Sequence, residues 1–152
     1  MKKLIFVVFI LLVLGLGFFE KNKLNFLDVF MSYDFKYIVS FSDLVDDENL
    51  VDVGFLKIGN YDKDELFKLN QKNKKYITSE TIVLYNISPN EILKKLNGVV
   101  VSKYHIGQIE VYNCYVKNLE KFCYENDKKF NIQIAVNCDE IKVGYPTIAE
   151  GF

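Results

Sequence analysis

Sixteen consecutive residues, Leu4 to Phe19, carry no polar side chain and are interrupted only by Gly15 and Gly17. Lys2 and Lys3 precede the run, and Glu20 is the first charge after it. Built as a helix, such a run rises about 24 Å, between the core of a signal peptide and the roughly 30 Å of bilayer hydrocarbon. Residues 1–19 therefore read as a signal peptide or a signal anchor, although no A-x-A cleavage motif and no lipidation cysteine follows. The lysines stay inside by the positive-inside rule. The remainder is expected outside the cell membrane, as a single-pass protein held through residues 4–19 or as a secreted one if the leader is cleaved.

The pattern beyond the run predicts strands interrupted by two short helices. Leu24 to Met31 has helix-like apolar spacing, and residues 20–32 read as a juxtamembrane segment ahead of a single domain at 33–152. Tyr33, Phe35, Tyr37, Val39 and Phe41 alternate with mostly polar residues, the period of a half-buried strand. An acidic stretch, Asp43, Asp46, Asp47, Glu48 and Asp52, overlaps a second strand, Leu50 to Ile58, closed by Gly59 and Asn60. Asp62 with Glu65 resembles a capping box and predicts a helix from Lys63 to about Lys72, with Lys72, Lys74 and Lys75 at its C-terminal end.

Tyr76 to Ile87 reads as a strand. Ser88, Pro89 and Glu91 then supply an N-cap, a first-turn proline and a third-position carboxylate. Asn97 and Gly98 stop that helix, with Gly98 expected in the left-handed conformation. Val99–His105 and Gln108–Val116 form a hairpin, and Lys117 to Lys129 is a long loop or one more helical turn. Ile132, Ile134, Val136, Ile141 and Val143 fall on one buried face of a last hairpin, with Gln133 on a solvent face. The fold class is α+β, an antiparallel sheet with two short helices on one face and the other face partly wet.

Composition narrows the function. All nineteen basic residues are Lys, without Arg or Trp, in a chain rich in Asn, Ile and Tyr, a codon bias of AT-rich genomes. Beyond residue 19, seventeen Lys face twenty Asp and Glu. No nucleic-acid partner is expected, because counterion displacement needs a basic footprint and base reading favours guanidinium forks.

Asn131-Ile132-Gln133-Ile134-Ala135-Val136, a short turn, Ile141-Lys142-Val143-Gly144-Tyr145-Pro146 and the terminal Phe152 resemble the C-terminal signature of YwmB-like proteins, an exported family of Gram-positive bacteria. The resemblance implies a TATA-box-binding-protein-like fold, whose repeat has the strand, helix, four-strand order read from Tyr76 onward. It implies no catalytic residue.

No motif selects a chemistry. The only imidazole, His105, sits near a hairpin tip, far along the strands from Cys114, so the two form no dyad. Cys114, Cys123 and Cys138 are odd in number and dispersed, which allows one disulfide at most and lacks zinc-site pairing. The acidic stretch lacks the alternating calcium loop. Neither a catalytic residue, a metal ligand nor a cofactor is expected. Tyrosine is abundant near the final sheet, and Tyr104, Tyr112, Tyr115 and Tyr145 are the candidate interaction surface, since tyrosine joins an apolar body to a polar tip. The expectation is a non-enzymatic envelope interaction domain with a protein partner. Its rivals are a small-ligand binder with an enclosed pocket and an envelope enzyme without a recognisable motif.

Overall fold

The computed structural model describes residues 23–150. The apolar run 4–19 and its reading as a leader or anchor lie outside the described residues, and among these no helix is long and apolar enough to cross a membrane.

Among the described residues ten strands form, in chain order, β1 (Lys36–Ser42), β2 (Val51–Val53), β3 (Leu56–Asp62), β4 (Ile77–Tyr85), β5 (Val99–Ile106), β6 (Ile109–Tyr115), β7 (Cys123–Glu125), β8 (Lys128–Phe130), β9 (Ile132–Asn137) and β10 (Glu140–Tyr145). Eight of them make one sheet in the order β2-β3-β1-β4-β10-β9-β6-β5, antiparallel throughout. β7 and β8 form a separate hairpin. The α+β class and the antiparallel sheet are thus present; from β4 onward the order is strand, helix and six strands, of which β5, β6, β9 and β10 join the main sheet while β7 and β8 form the inserted hairpin. β10 inserts between β4 and β9 at the middle of the sheet.

α1 (Pro89–Leu96) starts as the sequence requires: the Ser88 side chain accepts the Glu91 N–H, and Pro89 stands in the first turn. Its end differs. Asn97, not Gly98, takes the left-handed conformation, with φ at 51°. The Glu91 carboxylate does not close a capping box but accepts from Tyr33 Oη at 3.0 Å.

The expected helix from Lys63 to Lys72 is replaced by two 3₁₀ turns, Lys63–Lys68 and Gln71–Tyr76. Asp62 makes no side-chain cap there, whereas Asn70 accepts the Lys72 N–H at 3.0 Å. Leu66 and Leu69, three residues apart, both pack on the core, a spacing that one turn of 3₁₀ helix brings to the same face. The expected strand Leu50–Ile58 is a hairpin instead, because Gly54 adopts φ +64° and turns β2 back on β3. The Lys117–Lys129 segment, expected as loop or helix, contains the β7–β8 hairpin, turned by Asn126 and Asp127 at φ 47° and 62°. Two consecutive left-handed residues are the pattern of a type I′ hairpin turn.

One face of the sheet builds the main core. Tyr37, Val39 and Phe41 of β1, Ile82 and Leu84 of β4, Ile132 and Ile134 of β9, and Ile141 and Val143 of β10 are buried there against Ile92 and Leu96 of α1. Val136 packs on the same cluster, partly buried, so the alternation read in the last hairpin holds. Phe26 and Phe30 also enter this core, 2% and 0% exposed. The domain therefore begins before residue 33, and this stretch of the expected juxtamembrane segment is one of its walls.

The second face, expected to be partly wet, is covered across its middle and open at one end. After Tyr145 the chain folds back, and Pro146–Glu150 crosses the sheet as a strap. Ile148 packs on Val111 and Ala135, and Ala149 packs on Ile38, Ile58 and Val83. Ile148 N–H donates to Gln133 Oε1 at 3.3 Å, and Ala149 N–H to Thr81 Oγ1 at 2.8 Å. Gln133, expected in solvent, is buried and also donates to Asn113 Oδ1 at 3.1 Å.

Candidate functional site

The four tyrosines read as an interaction surface do not share one. Strand register places Tyr104 and Tyr115 on the strap side of the sheet and Tyr112 and Tyr145 on the main-core side. Tyr104 Oη accepts from Gln133 Nε2 at 3.3 Å. Tyr112 Oη donates to Glu110, whose carboxylate also pairs with Lys103 Nζ at 2.6 Å. Tyr145 is a pin inside the fold: it is 8% exposed, and its Oη accepts the N–H groups of Glu120 and Lys121 at 3.1 and 3.0 Å. Of the four, Tyr115 alone lies beside exposed aromatics, since Lys129 Nζ spans its ring at 5.6 Å and that of Phe122 at 3.8 Å.

What the sheet does offer is an edge. Its two outer strands are β2, three residues long, and β5, eight residues long. Along β5, Val99, Val100 and Ile106 are 67%, 42% and 45% exposed. An outer strand presents a row of free backbone N–H and C=O groups, the template on which an extended segment of another chain adds. The β5–β6 turn is tight because Gly107 adopts φ +61°, and a bulge between Val100 and Ser102 interrupts the ladder. The run Val99-Val100-Val101 is the sequence signal of this edge, legible as a strand but not as an outermost one.

The remaining side chains form few reactive groupings. His105 lies on the exposed edge with Nε2 3.5 Å from Glu110 Oε1. Cys114 stands opposite Val100, five residues along β5 from His105, or about 16 Å at strand rise. Burial pushes the Cys114 thiol up to about 12. All three cysteines are free. Among the described residues no three His, Cys, Asp or Glu side chains come together as a metal site. In the acidic stretch, Asp47 is occupied by the side-chain amides of Asn49 and Asn73 at 3.0 and 3.2 Å. An open cleft of about 380 Å³ lies on the strap side, floored by Ile38 and Val83 and rimmed by Lys36, Lys142 and Glu150.

Glu80, on the main-core side of β4, is an acid held above its ordinary range. Burial raises its pKa, offset by the hydrogen bond from Tyr37 Oη at 2.7 Å and by the charges of Lys121 and Lys74. Lys121 is held in place by its bond to the Ile77 carbonyl at 2.7 Å, and burial lowers its pKa. A carboxyl whose folded pKa lies above its unfolded value stabilises the fold while protonated, and that contribution is lost as pH rises from the ordinary carboxylate range through the folded value. Glu80→Gln keeps a polar partner for Tyr37 without the buried charge. Urea midpoints measured from pH 4 to 8 should therefore fall more steeply with rising pH in the parent chain than in this variant; parallel profiles would show that Glu80 does not titrate differently on folding.

Against this geometry stand the comparisons with known proteins: no family model matches the chain, and no curated protein or solved structure matches it.

Proposed function

We propose that this chain is a non-enzymatic interaction domain of the cell envelope, of YwmB-like type, which takes an extended protein segment along the outer edge of β5. The observation that carries the reading is the eight-residue edge with exposed Val99, Val100 and Ile106. Main-chain pairing supplies affinity in such complexes, and alternate side chains supply selectivity. The envelope location rests on the lysine-flanked apolar run of residues 4–19, and the family type on the residues from Asn131 to Pro146 and Phe152. The rival small-ligand reading calls for an enclosed pocket, whereas Ile92 and Leu96 of α1 belong to one continuous apolar cluster with Ile132 and Ile134 of the sheet.

A photo-crosslinking residue in place of His105, on β5, should give a discrete protein adduct in intact cells, and Val100→Lys with Ile106→Lys should abolish it. A reporter that works only outside the cytoplasm, fused after Phe152, should be active. An adduct as strong from position 85, on β4 four strands from β5, would remove the edge as the site, and an inactive reporter would remove the envelope.

A further inference from the structure

The described chain enters the domain at a basic and aromatic surface. Leu24 N–H donates to Asn118 O at 3.2 Å, and Lys23 Nζ pairs with Glu120 Oε1 at 2.8 Å, so the entry point is fastened to the segment between β6 and β7. A cleft of about 650 Å³ opens there, lined by Lys23, Tyr115, Lys117, Glu120 and Lys129 among others. Beside it stands the outward side of the β7–β8 hairpin, where Phe122 and Tyr124 are 46% and 65% exposed with ring centroids 5.7 Å apart. Lys129 Nζ sits over the Phe122 ring at 3.8 Å. Three lysines thus surround one glutamate, a local positive excess on a chain of net charge −1.

Exposed rings interleaved with ammonium groups match the headgroup region of a bilayer, where aromatic bodies enter the interface and lysines meet anionic lipid. Four peptide steps separate Lys23 from Phe19 at the end of the apolar run, which reach about 14 Å when fully extended. The acidic stretch follows β1 at the same end of the sheet as Ile77, and four inter-strand spacings, roughly 19 Å, separate β1 from β6. We propose that Lys23, Lys117, Phe122, Tyr124 and Lys129 dock on anionic phospholipid headgroups of the membrane that residues 4–19 enter, laying the domain against the bilayer on its β6–β7 side. The docking rests on the envelope reading above.

The chain has no tryptophan, so Tyr124→Trp gives a single near probe at this surface and Tyr85→Trp a single far probe at the other end of the sheet. Tyr85 lies eight residues along β4 from Ile77, whose carbonyl binds Lys121, a distance of about 26 Å. Each full-length variant is reconstituted into vesicles of phosphatidylcholine alone or mixed equally with phosphatidylglycerol, and headgroup spin labels quench the fluorescence. The near probe should be quenched at least about twofold more than the far probe in the mixed vesicles, and less in the neutral ones. Lys117→Glu with Lys129→Glu should bring the near probe down to the level of the far one. Flotation with the vesicles but equal quenching of the two probes, or quenching indifferent to phosphatidylglycerol, overturns the docking and leaves the envelope reading standing. Failure to float with either vesicle overturns both.

Discussion

Gly144→Ala should detach the strap from the sheet and lower stability by about 3 kcal/mol, the upper part of the range for forcing an atom into a filled site. Gly144 lies on the strap side of β10, opposite Thr81 and Gln133. A Cβ there would overlap the backbone of Thr147 and Ile148, and backbone, unlike the end of a flexible side chain, has no rotamer by which to yield. The strap would have to lift. Ile148 and Ala149 would then lose their apolar seats on Val111, Ala135, Ile38, Ile58 and Val83. Urea unfolding of residues 20–152 measures the loss, and amide exchange locates it: protection of Ile148 and Ala149 N–H should fall first, since they donate to Gln133 and Thr81. A variant as stable as the parent, with both amides protected, would show that the chain can cross the sheet without a glycine at this position.

Ile134→Ala should cost about 2 to 5 kcal/mol, because the side chain is fully enclosed and its loss leaves a cavity on the main-core side. Its neighbour makes the sharper comparison. In a sheet with one wet face Gln133→Ala would be nearly silent, but here it removes the acceptor of Ile148 N–H and the donor to Asn113 and Tyr104. Leaving such buried groups unpaired costs about 1 to 3 kcal/mol. Gln108→Ala, in the exposed β5–β6 turn, is the control and should stay within roughly half a kcal/mol. Urea midpoints of the three variants test the two-sided sheet together; a Gln133→Ala variant indistinguishable from Gln108→Ala would mean that the bonds across the second face carry no stability.

Local chemistry makes some elements legible from sequence alone. Ser88-Pro89 fixes the start of α1, and the two-residue period from Ile132 to Val143 fixes both strands and their buried side. What escapes is long-range. Gln133 is polar in any alphabet, and nothing beside it in sequence shows that a strap fifteen residues on will supply its partner. Pro146–Glu150 is too short to carry a period. Tyr145 looks like any strand tyrosine, yet its hydroxyl is taken by backbone N–H groups of a loop folded from elsewhere. Phe122 and Tyr124 escape because a polar, charged stretch hides the hairpin that carries them, although Asn126-Asp127 is a pair common where two successive residues must be left-handed. The β5 edge escapes for a different reason: alternation shows which face a strand buries, but not whether it has a second neighbour.

The place of β10 at the middle of the sheet bears on how the molecule is made. A nascent chain emerges N-terminus first, so β1 to β4 and β5 to β9 are complete before the strand that joins them exists. Until then β4 and β9 each present a bare, apolar flank, the kind of surface that chaperones cover and that aggregates otherwise. Closure links β4 with residues some sixty positions later, through Ile82 opposite Val143 and Leu84 opposite Ile141, a separation that slows folding. A polypeptide ending before Glu140 would lack the strand that pairs with both β4 and β9, leaving the two parts of the sheet without a hydrogen-bonded ladder between them.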